Sequence, residues 1–552
     1  MNRPAFRRPA AIAAAAAAIF SNVAGAEPPC ADDHGDRDAL VARDDVVIGR
    51  GTLYGSVLLN DRNATAITGH TAPAHGTLAL AADGTFTYTP AAGFRGTDSF
   101  TYTVTDAVEV FPYSMLNGKP VPSLGTVQGP AGTTTVISGE GFGSSLAPAP
   151  GRPGVFFGLT DRGPNADAPD GNKSEPMLDF SPKIGELALI DGKARLVRTI
   201  TLKGPKNLGG TPYSGRPPHD TAEVIDDVVA TNLAGTPVPV AKDPYGYDSE
   251  GLVAMRDGTF WVSDEYGPYV THFDRDGYEI GRLTPYTTSV DNASHTIVGY
   301  LPAEYGKRLK NKGMEGLTLT PDGKSLVGAM QSALQMPDLG STKAGNVAAT
   351  RILVIDLKTF ATKQYLYLLD DPKTTGDANS EITALTNTTF LMDERDGNFE
   401  PGAHKTLYKI DLSAATDISG MTIGGLSPEA YIGTAGTAAA QALLASAGIQ
   451  VATKTPYVAI GDLVTQLDPT GALYAHDKVE GVATTDGGRT LYVSNDNDFG
   501  IDTIVVDPSG LWTVHQKVLP PTGQVDNGVI LKIDTTKLPA TTKTATVTLK
   551  VF

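Results

Sequence analysis

SEGLVAMRDGTFWVSDE (249–265), MEGLTLTPDGKSLVGAMQ (314–331) and VEGVATTDGGRTLYVSND (479–496) are three copies of one phrase. Each opens on a Glu, runs through apolar residues to an Asp-Gly turn, and returns through a second apolar run. Two short apolar runs around Asp-Gly read as a β-hairpin. A looser copy is SEITALTNTTFLMDER (380–395), and the most distant is SGEGFGSSLAPAPGRPGVFFGLTDR (138–162). A second phrase follows the copies: IGELALID (184–191), RILVIDL (351–357), KTLYKIDL (405–412) and GVILKID (528–534). Each reads as an outer strand ending in an Asp turn. Two hairpins make a four-stranded unit, and such units repeated around an axis make a β-propeller.

The leading acids space the units. Glu250, Glu315 and Glu381 lie 65 and 66 residues apart, whereas 110 residues separate Glu140 from Glu250 and 99 separate Glu381 from Glu480. The wide gaps call for insertions or a degenerate unit, so six blades are expected, with five or seven left open. One insertion, TAAAQALLASAG (437–448), has a helical composition.

Hairpin geometry places the carboxylates. Antiparallel strands of similar length return Asp264 to the end where Glu250 began. Glu480 with Asn495 and Asp496, Glu381 with Asp393 and Glu394, and Glu315 with Gln331 are related in the same way. Repetition around an axis then yields a ring of carboxylates and amides at one mouth. Crowded carboxylates resist common ionisation unless cations neutralise them. Oxygen-only ligands in a roomy ring suit Ca²⁺ better than Mg²⁺. The expected metal ligands are Glu250, Asp264, Glu315, Glu381, Asp393, Glu480, Asn495 and Asp496, and across the ring Glu250 and Glu480 share an ion. Alternatively, each Glu caps its strand and each Asp closes a turn. Arg162, Arg395 and Lys312 adjoin the acidic positions, where they could receive an anionic phosphate ester or simply pair with their neighbours.

Composition narrows the functional classes. The 552 residues carry a formal charge of −17, which argues against nucleic-acid binding. The single Cys30 excludes an intramolecular disulfide and any Cys-based zinc or iron–sulfur site. G-x-S-x-G, H-E-x-x-H and the P-loop pattern are absent. DNDFGID (496–502) matches a calcium loop only weakly, because Gly500 stands where Asp is preferred. The nine His are scattered, and surface roles are expected for His219 and His404.

Residues 1–26 join Arg3, Arg7 and Arg8 to an alanine-rich run and Ala24-x-Ala26, the parts of a cleavable export signal. The run is too short to span a bilayer. The expected product is exported, to the periplasm or to the medium or cell surface, with no transmembrane segment. In residues 40–107, LALAADGTFTYTP (78–90) and SFTYTVTD (99–106) alternate apolar and polar side chains, as in a small β-sandwich. Residues 108–135 read as a linker and 136–552 as the propeller. The chain is therefore expected to be all-β, a small β-sandwich module followed by a β-propeller.

The N-terminal pattern, from DDVV through VLLND to GTDSFTYTVTD, resembles the bacterial cadherin-like, immunoglobulin-like repeat module of exported proteins. That resemblance implies a spacer or a cell-surface contact, with Asp44, Asp45, Asn60, Asp61, Asp98 and Asp106 where such modules can bind calcium. FFGLTDRGPN, YDSEGLVAMRDGTFWVSDEYGPYV, NKGMEGLTLTPDGKSLVGAMQS, ITALTNTTFLMDERDGNF and VEGVATTDGGRTLYVSNDNDFG together resemble the bacterial "esterase-like activity of phytase" family over residues 135–535. The implied activity is hydrolysis of ester bonds in a small phosphorylated or ester substrate. Asp161, Arg162, Glu250, Asp264, Glu265, Glu315, Glu381, Asp393, Glu394, Arg395, Glu480, Asn495 and Asp496 occupy the motif positions. Glu140 is followed by GFGSS rather than an apolar strand and departs from the pattern. The leading expectation is a calcium-dependent phosphoester hydrolase with Glu250, Asp264, Arg395 and Arg162 in the catalytic site. A non-catalytic exported binding propeller and a carboxylester or lactone hydrolase remain the alternatives.

Overall fold

A computed structural model describes residues 38–81 and 83–552; the leader at 1–26 and Cys30 fall outside them. The chain divides into two compact units: one runs to Thr105 and adds Thr542–Phe552, and the other is Asp106–Thr541. Among the described residues, no helix is long and apolar enough to cross a membrane.

The first unit is a β-sandwich. One sheet has the order Asp45–Gly49, Thr542–Val551, Gly96–Thr105, Ala66–His70, and the other Leu53–Ser56, Thr85–Pro90, Gly76–Leu80. Alternation explains the layers, since Phe86 and Tyr88 of one sheet and Phe100, Tyr102 and Val104 of the other all turn into one core. The Asp83-Gly84 turn closes the expected hairpin, with Gly84 at φ 79° and the Asp83 carboxylate accepting the Thr85 N–H. The boundary at 40–107 is too narrow. Thr542–Val551, expected at the end of the propeller, pairs antiparallel with the whole of Gly96–Thr105 and parallel with Asp45–Gly49. Its Val547, Leu549 and Val551 fill the sandwich core, so residues 136–552 do not belong to the propeller alone.

The second unit is the β-propeller. Its hairpins combine into four-stranded units in the expected manner. The first holds Ser145–Pro148, Val155–Leu159, Lys183–Ile190 and Lys193–Thr201. The second holds Ser249–Ala254, Phe260–Asp264, Val270–Phe273 and Glu279–Thr284, and the third Met314–Leu319, Ser325–Met330, Ala349–Asp356 and Thr362–Leu368. The fourth comprises Ala378–Ala384, Thr389–Arg395, Lys405–Asp411 and Thr453–Ala459. In the fifth, Val479–Thr484, Thr490–Asn495 and Val529–Asp534 are completed by Val108–Met115. Each inner strand lies beside the next, and the fifth returns to the first.

Among the described residues these units number five, one of the counts the spacing left open beside six, and the second adds a fifth strand, Ile297–Tyr300. Other structure fills the wide gaps and the stretch between Asn495 and Val529. A five-stranded sheet collects Ala166–Asp167, Lys173–Glu175, Ile225–Asp227, Ile501–Val506 and Trp512–Gln516, and the fourth unit carries the helices Pro428–Ile432 and Thr437–Ser446. The segment 108–135 is not a plain linker, because it contains Val108–Met115 and, with Thr134–Ile137, the hairpin strand Gly125–Gln128.

Candidate functional site

A β-bulge at the start of four inner strands organises the site. Pairing skips Glu250 and Gly251 between Ser249 and Leu252, opposite Ser263 alone, and skips one residue between Met314 and Gly316, Asn379 and Glu381, and Val479 and Gly481. Two residues on the bulged strand then face one on its partner, which re-aims a side chain. The bulged residues are Glu250, Glu315, Ser380 and Glu480. Glycine follows three of them because the neighbouring strand is too close for a side chain. A Cβ at Gly251 would lie 2.4 Å from the Leu317 nitrogen, one at Gly316 2.4 Å from that of Ile382, and one at Gly481 2.8 Å from that of Leu146.

The fourth unit breaks the pattern by one position. Ser380 takes the place of the acid and Glu381 that of the glycine, and a one-residue offset moves a strand side chain to the other face. Glu381 accordingly accepts the Ser145 hydroxyl at 2.6 Å and the Leu317 N–H at 3.2 Å, while Ser145 Oγ accepts the Leu252 N–H at 3.1 Å. Glu381 therefore ties four of the inner strands together. The Ser380 hydroxyl is buried without a partner.

Glu250, Glu315 and Glu480 line one cavity of about 190 Å³ with Asp161, Glu265, Asp496 and Asp498. The same cavity is lined by Arg162, Lys173, Lys312, Arg395 and Lys478, and by the amides of Asn165, Asn311 and Gln331. Two of the lining acids join Asp248, which lies outside the lining, in a carboxylate group within one unit: oxygens of Asp248, Glu250 and Glu265 fall within 4.8 Å of one another. Arg162 donates through Nη1 to Asp248 Oδ2 and through its main-chain N–H to Asp248 Oδ1 at 3.0 Å. Arg395 pairs with Glu480. Lys478 bridges Asp496 at 3.0 Å and Asp498 at 2.5 Å, and Lys312 donates to the neutral Gln331 amide oxygen at 2.9 Å.

Burial, and then like charge, raises the acids. The Glu250 carboxyl is held well above the usual range by burial, then by Glu315, Asp248, Glu480 and Glu265. Glu315 is raised for the same reason, with Glu265 its strongest charged neighbour, and burial then Asp248 pushes Glu265 up to about 8. Burial raises Asp161 too, with Asp496 next. Burial lowers the Lys312 ammonium against the pull of Glu265 and Glu315. Asp498 goes the other way: burial opposes its charge, but Lys478 and Lys517 hold it well below the usual carboxylate range.

Not every expected ligand reaches this cavity. Asp264 turns to the backbone, accepting the N–H of Asp248 at 2.7 Å and that of Gly267, and Glu265 lines the cavity in its place. Asn495 accepts the Val529 N–H at 2.8 Å and donates to His476 and the Asn527 carbonyl. Asp393 sits across from Glu381 in the register, with both oxygens buried and unpartnered and burial pushing its carboxyl up to about 8. Glu140 accepts the Gly528 N–H at 3.1 Å and stays outside the lining. Asp248 was missed although YDSEG displays it two residues before Glu250. Lys173 comes from an insertion without a repeat to flag it. His404 pairs with the buried Asp377 at 2.7 Å, and His219 with Asp291 at 2.7 Å.

The donor set fits a hard divalent cation. Asp248, Glu250 and Glu265 offer only oxygen, all three are buried, and Glu265 Oε1 has no hydrogen-bond partner.

Comparison with known proteins finds a match to the family model described as esterase-like activity of phytase over residues 139–499, and to the bacterial Ig domain over 37–110. An uncharacterized secreted protein of Arthroderma benhamiae is 28% identical over 334 residues, covering 48% of this chain and 61% of the relative. The match thus spans about three fifths of that relative's length. Among solved structures, a protein from Lactobacillus plantarum is 13% identical over 79% of this chain and 99% of its own, with a TM-score of 0.30. Virginiamycin B lyase from Staphylococcus aureus is 11% identical over 88% of this chain and 98% of its own, with a TM-score of 0.25. At such low overlap, no residue of either is carried over to this chain.

Proposed function

We propose, on the premise that this chain belongs to the esterase-like activity of phytase family, that it is an exported, calcium-dependent hydrolase of small phosphate esters. The observation that carries this is the buried Asp248–Glu250–Glu265 group, two of whose members, Glu250 and Glu265, line a cavity that Lys312 also lines. Calcium held by these three carboxylates would polarise a phosphoryl oxygen and lower the pKa of an attacking water. Lys312, bonded only to a neutral amide oxygen in its one side-chain hydrogen bond, anchors a phosphoryl oxygen. Glu315, beside it in the lining, accepts the proton of the attacking water as general base. Arg162 and Arg395 supply the remaining positive charge. Export follows from the leader read at 1–26 and agrees with the secreted relative. The sandwich would serve as a spacer or cell-surface contact.

A panel of generic phosphomonoesters and carboxylesters, assayed with calcium and with chelator, tests this. Phosphomonoester turnover that disappears with chelator supports it. Turnover confined to carboxylesters would replace it with the carboxylester alternative. A second reading, a non-catalytic cation-binding propeller, is favoured by the pairing of both arginines with carboxylates, and absence of turnover on the whole panel would establish it.

A further inference from the structure

Arg162 and the proposed cation need the same carboxylate. The Asp248 carboxylate receives both the Arg162 main-chain N–H, at 3.0 Å, and Nη1 of its guanidinium. Nη1 also lies 3.8 Å from Glu265 Oε2, so the guanidinium touches two members of the three-carboxylate group. Its Nε is buried without a hydrogen-bond partner, and its carbon stands 5.5 Å from the centre of the Tyr266 ring. Arg162 is nevertheless part of the cavity lining. A divalent ion seated on Asp248, Glu250 and Glu265 would lie against this guanidinium, and two cations on one carboxylate in a buried site repel strongly.

We propose that Arg162 and a divalent cation compete for Asp248 and Glu265, so that cation binding turns Arg162 from a carboxylate partner into the anion receptor of the cavity. The proposal rests on the calcium reading above and adds an order to it: cation first, anion second. A guanidinium released from one carboxylate retains a planar fork of donors suited to two oxygens of a phosphoryl group. An anion entering without the cation would meet an arginine already taken by Asp248 and Glu265.

Calorimetric titration of the full chain with calcium, with and without inorganic phosphate, tests this without any measurement of turnover. In the unaltered protein, sub-millimolar phosphate should tighten calcium binding about tenfold, and calcium should tighten phosphate equally, because coupling between two ligands is reciprocal. Arg162→Gln should bind calcium at least tenfold more tightly than the unaltered protein and lose its response to phosphate. Arg162→Lys, which keeps the charge and loses the fork, should leave calcium affinity near its original value and weaken the phosphate response. Weaker or unchanged calcium binding in Arg162→Gln overturns the competition, because Arg162 would then merely brace Asp248. So does an unaltered protein that takes calcium but is indifferent to phosphate, and that arm decides alone if Arg162→Gln does not fold. An unaltered protein that takes no calcium overturns the calcium reading itself, and the competition with it.

Discussion

The sandwich receives Thr542–Val551 from the far end of the chain, whereas the propeller receives Val108–Met115 from upstream of its first inner strand. The two contributed strands differ in position. Thr542–Val551 lies between two neighbours in the middle of its sheet and sends Val547, Leu549 and Val551 into the core. Val108–Met115 is the outermost strand of the fifth unit, though it also meets Lys193–Thr201 in parallel. A central strand holds a small core together, while an outer strand completes one unit among several. The interiors differ as well. The sandwich core is apolar with a few carboxylates at its margin, whereas the propeller buries many charges, one set of them around a cavity and others in separate ion pairs such as Arg351–Glu429 and Arg308–Glu223.

The sharpest way to break this comparison is to delete residues 542–552. Burying each of Val547, Leu549 and Val551 is worth roughly 1.5–3 kcal/mol, so their loss approaches the whole stability of a small domain, about 5–15 kcal/mol. Calorimetry should show the sandwich transition vanish and the propeller transition survive. A deletion variant that retains both transitions would mean the sandwich is complete without its last strand.

The next effect belongs to the propeller alone. A ligand bound only by the folded state adds about 2.7 kcal/mol at a hundredfold excess over its dissociation constant. Chelator should lower the propeller melting temperature, calcium should restore it, and the sandwich transition should not move. Identical propeller melting in chelator and calcium would remove the structural basis for the metal proposal.

The sequence made the hairpins legible because their signal is local: Asp257-Gly258 and Asp486-Gly487 between apolar runs announce two strands each. The two contributed strands carry no such neighbour. TATVTLKV (544–551) alternates as a strand should, but nothing in its composition says which of two sheets it joins. The carboxylates were legible by residue type and misplaced by register. Glu381 looks like Glu250 and Glu315 when the acids are aligned. Aligning the apolar residues that follow, Leu252, Leu317, Ile382 and Val482, puts Ser380 in the acid position instead. Only the pairing register distinguishes these alignments. Asp264 was misplaced for a related reason: hairpin return brings it to the correct end, but its oxygens are consumed by the N–H groups of Asp248 and Gly267.

That distinction gives a smaller, paired test inside the propeller. Glu250→Gln should weaken calcium tenfold or more with modest change in melting temperature. Glu381→Gln should cost about 1–3 kcal/mol of propeller stability, the usual penalty for disturbing a buried hydrogen-bonded group, and leave calcium affinity as it was. Equal loss of calcium in the two variants would restore a ring of equivalent acids.

The smallest effect sharpens the contrast from the sandwich side. Burial, and then Asp61, push the Asp45 carboxyl from its ordinary 3.8 up to about 7, against a hydrogen bond from the Tyr102 hydroxyl at 3.3 Å. Because the folded value is the higher one, the folded sandwich binds this proton more tightly than the unfolded chain does. Its contribution therefore favours folding at low pH and is lost as pH rises from about 4 to about 7. Asp61 is shifted in the same direction, again chiefly by burial. Asp98 is lowered: burial opposes its charge, but hydrogen bonds from His75, Tyr88, Ser99 and Ala74 outweigh it, so its stabilisation is lost only on acidification below the ordinary carboxylate range. Asp45 is part-exposed and solvent screens it, so the change should stay under about 1 kcal/mol, a few degrees in a domain of this size. Melting curves of the sandwich transition between pH 4 and 7 should slope downward in the unaltered protein, and Asp45→Asn should flatten them by raising the neutral-pH end. Parallel slopes in the two proteins would show that Asp45 keeps an ordinary affinity for its proton in the fold.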